Sequence, residues 1–167
     1  ITVQGVGHVG EYLVEYLSKE GAIITITDIH DDILNKISKK YNCSIVSPEM
    51  VYDVDMDIYA PCALGSTVNS NTISRMNCSI IAGAANNQLE DEFVHGKELM
   101  NKGVIYAPDY IINAGGVMNC YAEVHQISAE EVMKMAENIY HTTLDVIKTS
   151  QKDNTPTFLV ANRKAEE

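Results

Sequence analysis

Basic residues are scarce in this chain: 12 Lys and Arg stand against 23 Asp and Glu, for a formal net charge of −11. That deficit argues against non-specific nucleic-acid binding and against attraction to an anionic membrane surface, both of which use clustered cations. Cysteine is sparse as well. Cys43, Cys62, Cys78 and Cys120 form no CxxC pair and have no histidine at metal-ligand spacing, so neither a metal site nor a disulfide framework is expected. Reduced thiols in a cytoplasmic setting are the simpler reading. No apolar run approaches the roughly 20 residues of a membrane helix, and no signal peptide is visible. Internal repeats and low-complexity tracts are absent, and so is an initiator methionine. The chain starts at Ile1 already inside a strand pattern, so a piece of a longer protein is expected. What is present is 167 residues, 46% of them hydrophobic, enough for one domain with a real core. Small molecules and protein subunits are the expected partners.

The opening ITVQGVGHVG sets three glycines at the end of a β-run. Gly5 lets the chain turn sharply out of the strand, Gly7 lets backbone approach a pyrophosphate, and Gly10 lets the following helix sit close to the sheet. The helix start offers free N–H groups and a positive dipole end to the phosphates, through the backbone of His8 and Val9 as well as the glycines. The motif is flanked by the helical stripe Val9, Leu13, Val14, Leu17 and by a second β-run, Ile23 to Thr27, ending in Asp28. A carboxylate there accepts hydrogen bonds from the adenosine ribose and repels a 2'-phosphate, which favours NAD over NADP. No arginine among residues 29–32 reverses that sign. The alternative is that Asp28 caps the helix beginning near Asp31, although Asp31 or Asp32 can serve as that cap.

Strand-like and helix-like segments alternate along the first two thirds. β-Runs at Ile1, Ile23–Thr27, Cys43–Val46, Asp57–Tyr59, Ser79–Ala82 and Val104–Tyr106 are separated by helical stretches near residues 7–20, 31–41, 69–76 and 89–102. Six mostly parallel strands with helices on both faces, a doubly wound Rossmann-like α/β fold, follow from that rhythm. In such a sheet the ligand lies beyond the carboxyl ends of the strands where their order reverses. The loops at residues 5–10, 28–30, 60–66, 83–88 and 107–116 are then the ones that matter. Small residues in PCALGS and AGAANN leave room for a flat ring and ribose, or else mark tight turns where backbones approach each other. PDYIINAGGV (108–117) places a carboxamide and two glycines before a new helix; it either meets a ligand or is a helix entry with Asn113 as cap and the glycines as hinge.

Beyond Gly116 the pattern is helical. One segment spans residues 117–125 and a longer one 128–149, with Val132, Met135, Ile139, Thr142 or Thr143, and Val146 as its apolar stripe. Met118, Met133 and Met135 read as core filling. A polar linker, residues 150–154, is expected before Thr155 and Pro156, which read as cap and first residue of a last helix.

VQGVGHVG, TDIHDD, DIYAPCALG, IAGAANNQL, YAPDYIINAGGV and TPTF…ANRKAEE occur in order over almost the whole chain. Together they resemble the NAD-binding domain of the glutamate, leucine, phenylalanine and valine dehydrogenase family, and within it the leucine dehydrogenases most closely. The resemblance implies oxidative deamination of an amino acid, leucine or another branched-chain substrate favoured, to a 2-oxo acid with NAD as hydride acceptor. It implies that the catalytic lysines and aspartate lie in an N-terminal domain absent from this chain, and that the complete protein is a homo-oligomer. Residues 1–127 are then the dinucleotide-binding domain, and residues 128–167 helices returning toward the missing domain.

Carried over by motif, Gly5, Gly7, His8, Val9 and Gly10 hold the pyrophosphate, and Asp28 and Ile29 the adenosine side. Cys62, Ala63 and Ala85 wall the cleft, Asn86 and Asn113 contact the nicotinamide half, and Val117 and Cys120 line the substrate side-chain pocket. Two departures stand out. Cys120 replaces the valine usual in leucine enzymes, and His8 replaces the family's common asparagine, a change read as neutral because the backbone N–H persists. Phenylalanine, valine or glutamate specificity remains an alternative, as does a non-catalytic NAD-sensing module. A helical interaction module at residues 117–167 is a third.

Overall fold

In the computed structural model, which describes residues 1–166, the apolar runs form β1 (Thr2–Gln4), β2 (Thr25–Thr27), β3 (Ser44–Ile45), β4 (Ile58–Pro61), β5 (Ile80–Ile81) and β6 (Ile105–Tyr106). They make one sheet in the order β3-β2-β1-β4-β5-β6, and every pairing is parallel. Helices α1 (His8–Lys19), α2 (Asp31–Tyr41), α3 (Ser70–Arg75) and α4 (Glu92–Asn101) cross between strands. α5 (Asp109–Ile112), α6 (Gly115–His125), α7 (Ala129–Asp153) and α8 (Thr157–Glu166) follow β6. This is the Rossmann-like, doubly wound α/β architecture that the rhythm of the sequence predicts, and strand order reverses between β1 and β4.

Successive residues of a strand face opposite sides, and two cores result. Val3, Ile26 and Ala60 pack with Val14, Leu34 and Ile37 of α1 and α2, whereas Tyr59, Ile81 and Tyr106 pack with Ile73 and Leu99 of α3 and α4. Each fully buried aliphatic side chain contributes about 1.5–3 kcal/mol, so these two layers fix the level at which the strands end. α7 and α8 form a smaller third cluster in which Val146, Val160 and Ala161 pack on Ile111.

Several local expectations need correction. The expected linker at residues 150–154 is helical as far as Asp153, because Gln and Lys are good helix formers and polarity alone does not end a helix. The stop is Asn154, left-handed at φ 48°, with its N–H on the Ser150 carbonyl. The last helix starts one residue late: Pro156 supplies the first carbonyl, accepting from Leu159 N and Val160 N, so it is the cap position itself. Of the α7 stripe only Val146 is fully buried, and Met133 is exposed rather than core filling. The 107–116 loop contains the short helix α5, and Gly115 and Gly116 open α6 instead of forming a hinge. Among the described residues no helix is long and apolar enough to cross a membrane.

Candidate functional site

Gln4 pairs with Thr27 on one side and Pro61 on the other, so the chain leaves the sheet side by side at Gly5, Asp28 and Cys62. Gly5 N donates to Thr27 O at 2.8 Å and Cys62 N to Gln4 O at 2.7 Å. Gly5 has φ +92°, and a methyl on it would lie 2.7 Å from the Ala63 Cβ, so both backbone and neighbours demand glycine. A methyl on Gly10 would lie 2.0 Å from the Gly5 carbonyl oxygen; α1 rests directly on the turn. A methyl on Gly7 would meet nothing within 4 Å. Two glycines thus serve contacts inside the protein, and the third leaves the mouth open.

The first backbone bond of α1 runs from Glu11 N to Gly7 O at 2.8 Å. The N–H groups of His8, Val9 and Gly10 precede it, and no side chain caps them. Such a helix start attracts an anion. His8 and Val9 are exposed there, the His8 ring standing edge-on to Tyr12 at 5.2 Å.

Asp28 faces this turn from the end of β2. Its Oδ2 accepts from Val6 N at 2.8 Å and its Oδ1 from His30 N at 3.0 Å. The cap position of α2 is His30, which makes no side-chain cap, so neither Asp28, Asp31 nor Asp32 caps that helix. Beside Asp28 lies a groove of about 200 Å³ lined by Gln4, Gly5, Thr27, Ile29, Pro48, Ala63, Leu64 and Thr67. Ile29 and Leu64, both 81% exposed, supply apolar walls. The Gln4 amide is held between two tyrosines, accepting from Tyr59 OH and donating to Tyr52 OH at 3.2 Å. Burial pushes the Tyr59 hydroxyl up, so it stays a donor. An apolar slot with a carboxylate at its rim can take a flat ring and hold the sugar attached to it.

Across the switch point Cys62 is partly buried, and burial raises its thiol above the ordinary range, making it a neutral apolar wall beside exposed Ala63. The loop after β5 is fastened from several sides. Methyls on Gly83 and Gly65 would lie 2.2 Å from Pro61 O and 2.5 Å from Asn86 O, so these glycines let the β4 and β5 loops pack on each other. Ala85 N donates to Pro61 O at 2.9 Å and Ser66 N to Asn87 O at 2.7 Å. Gln88, fully buried, donates Nε2 to Gly83 O at 2.6 Å and Ala85 O at 3.0 Å. Ala85 itself is buried, whereas Asn86 is exposed and its Oδ1 accepts from Asn113 Nδ2 at 2.6 Å. Asn113 ends α5, so it bridges two loops and is not the cap of α6.

Val117 and Cys120 stand exposed on α6, which packs against α7; the structure does not bring them into the groove beside Asp28. Gln4, Pro48, Thr67, Gln88 and Asp109 are site-forming residues that the sequence reading missed. Only Asp109 carries a local signal, as the one charged residue between Val104 and Tyr121. Among the described residues no three His, Cys, Asp or Glu side chains converge as a metal site.

Comparison with known proteins agrees with this architecture. Residues 29–166 match the Glutamate/Leucine/Phenylalanine/Valine dehydrogenase family model. The chain is 46% identical over its whole length to a leucine dehydrogenase of Thermoactinomyces intermedius, of which it covers 45%. It is 38% identical over 98% of its length to a phenylalanine dehydrogenase of Lysinibacillus sphaericus, covering 44% of that protein. The crystal structure of L-tryptophan dehydrogenase from Nostoc punctiforme superposes with a TM-score of 0.96 at 40% identity, over 99% of this chain and 50% of that one. The chain therefore spans about half the length of the relatives it matches. Its full-length identity to them, together with the family model's hold on most of the sequence, shows that it belongs to the glutamate/leucine/phenylalanine/valine dehydrogenase family.

Proposed function

We propose that this chain is the NAD-binding part of an amino acid dehydrogenase that oxidatively deaminates a branched-chain L-amino acid, leucine favoured, to a 2-oxo acid, ammonia and NADH. The observation that carries the reading is the pairing of an open, uncapped α1 start with the Asp28 carboxylate at the strand-order switch. These residues fit the cofactor. The N–H groups of His8, Val9 and Gly10 suit a diphosphate, the open side of Gly7 admits it, and the groove along Ile29 and Leu64 suits an adenine ring. Asp28 would accept from ribose hydroxyls and repel a 2'-phosphate. Cys62, Ala63 and, beneath the loop, Ala85 would wall the cleft, and the Asn86–Asn113 carboxamides would orient the nicotinamide half. When bound, NAD supplies the hydride acceptor.

Val117 and Cys120 are assigned to the side-chain pocket, completed by a domain outside this chain. That domain would contribute the catalytic lysines, so this chain alone turns nothing over. We assign residues 1–127 to cofactor binding and residues 128–167 to helices that pack toward that domain, in a cytoplasmic homo-oligomer. Leucine is favoured because of the 46% identity to a leucine dehydrogenase; the tryptophan and phenylalanine enzymes among the relatives make the amino acid the finer question.

Calorimetric titration with NAD is the first test, with saturable binding expected. Completing the chain with its upstream sequence should then give leucine-dependent NADH formation. Absence of NAD binding overturns the cofactor reading. Binding without turnover of any amino acid in the completed protein overturns the enzyme reading in favour of an NAD sensor.

A further inference from the structure

Asp109 is buried, 8% exposed, and among the described residues no Lys or Arg forms an ion pair with it. Its carboxylate is held by hydrogen bonds alone: Oδ2 accepts from Asn87 N at 2.6 Å and Oδ1 from Tyr106 OH at 2.8 Å. Its neighbours register the charge. The Glu92 carboxyl is pushed up by burial, against a hydrogen bond to Asn162 and with Asp109 adding to the rise; the Tyr106 hydroxyl is pushed up by burial and then Asp109, and the Tyr110 hydroxyl by burial, then Glu92, then Asp109. An apolar residue in this place would spare those groups the repulsion but would leave the Asn87 N–H and the Tyr106 hydroxyl without this acceptor, so charge alone does not account for the carboxylate.

Its position does. The Asn87 N–H that it holds belongs to a residue in the left-handed region, φ 51°, a conformation asparagine tolerates, and the bond fixes which way that turn presents its neighbour. Asn87 adjoins Asn86. On the other side, Asp109 opens α5, and its carbonyl accepts from Asn113 N at 2.9 Å. Asn86 and Asn113 are the two carboxamides that meet at 2.6 Å. One residue thus ties the β5 loop to the short helix: its carboxylate holds the neighbour of Asn86, and its backbone carbonyl holds the N–H of Asn113.

We infer that Asp109 is a positioning residue that fixes the Asn86–Asn113 pair against the nicotinamide half of the cofactor. The inference rests on the cofactor reading above. The anchoring bonds of the Gly5–Gly10 turn and of Asp28 run to Thr27, Val6 and His30, none of them to Asp109 or Asn87, so losing the Asp109 staple bears on the nicotinamide half first and reaches the adenosine groove only through the Ser66 N bond to Asn87 O.

The test compares NADH with ADP-ribose, which lacks the nicotinamide, as ligands of the purified protein. Asp109→Ala should weaken NADH about tenfold, the scale of one lost hydrogen bond to a charged group, and should leave ADP-ribose within about twofold, the scale of a distant change. The change in NADH fluorescence on binding should shrink in parallel. Asp109→Asn, whose Oδ1 can still accept from Asn87 N, should restore most of the NADH affinity. Tyr106→Phe keeps the ring in the core and removes only the hydroxyl that orients Oδ1, so it reads the same staple even where Asp109→Ala fails to fold. It should shift the NADH to ADP-ribose ratio the same way by about threefold. Equal losses for both ligands, or the wild-type ratio in every variant that folds, overturns the role of Asp109 while leaving the cofactor reading in place. A wild type that binds neither ligand brings down the cofactor reading and this inference with it.

Discussion

Replacing Asp28 with serine probes the cofactor reading at its one charged contact. The carboxylate spends one lone pair of Oδ2 on Val6 N at 2.8 Å and one of Oδ1 on His30 N at 3.0 Å, and each oxygen keeps another for a sugar hydroxyl. Serine is shorter and neutral and cannot reach both amides. Two separable losses follow. Val6, 1% exposed, has its N–H stripped of a partner, at about 1–3 kcal/mol, and every ligand of the glycine turn feels that. The second loss is the charge-assisted bond to the ribose, about 1.5–3 kcal/mol, which matters only for a ligand with a free 2'-hydroxyl; repulsion of a 2'-phosphate disappears at the same time. The first loss cancels in the ratio of NAD to NADP affinities, so that ratio should fall by about 10- to 100-fold. Calorimetric titrations with both dinucleotides at one fixed ionic strength measure it, since salt screens the phosphate term, and a thermal melt reports the Val6 loss independently. An unchanged ratio, even with both affinities reduced, would refute the assignment of Asp28.

Gly10→Ala should cost about 1–3 kcal/mol of stability, because its methyl would sit 2.0 Å from Gly5 O and force α1 off β1. Gly7→Ala, with open space around it, should melt within about 0.5 kcal/mol of wild type yet bind NAD more weakly; identical melts for all three proteins would contradict the packing argument. His8→Asn should leave NAD affinity within about twofold, the scale of a surface substitution, since the backbone N–H makes the contact; a larger loss by calorimetry would give the imidazole a role. Arg75 grips both oxygens of Asp53 at 2.9 and 2.7 Å and holds its carboxyl below the usual range. A depressed acid lends stability above its unfolded value that is lost as pH falls through its folded one. The melting difference between wild type and Asp53→Asn should therefore be present at pH 7 and close below about pH 4; a difference constant from pH 7 to pH 3 would show that the pair acts without its charge.

Much of this site is visible in the sequence because its requirements are local. Gly5 must turn, Gly10 must let a helix touch that turn, and Asp28 must follow the second strand; each condition is met within a few residues of chain. The helix ends were harder to read. Residues 150–154 look like a linker by polarity, yet polar residues continue a helix as readily as they leave it, and only the left-handed Asn154 marks the end. Asp31 and Asp32 satisfy the composition of a cap, but the cap position falls on His30, which makes no side-chain cap and whose own N–H is taken by Asp28. Gly65 and Gly83 read equally well as room for a ligand or as packing between loops; the facing carbonyls of Asn86 and Pro61 decide for packing.

The sequence by itself determines the parallel α/β scaffold and which segments of chain form its loops, because strand burial, helix periodicity and glycine sterics act over short stretches. It also determines the sign of charge at the end of β2. Only the tertiary structure decides which distant residues share a bond: Val6 with Asp28, Asn86 with Asn113, and Asn87 with Asp109. Those pairings depend on strand register and loop height summed over both cores, quantities that no local pattern encodes.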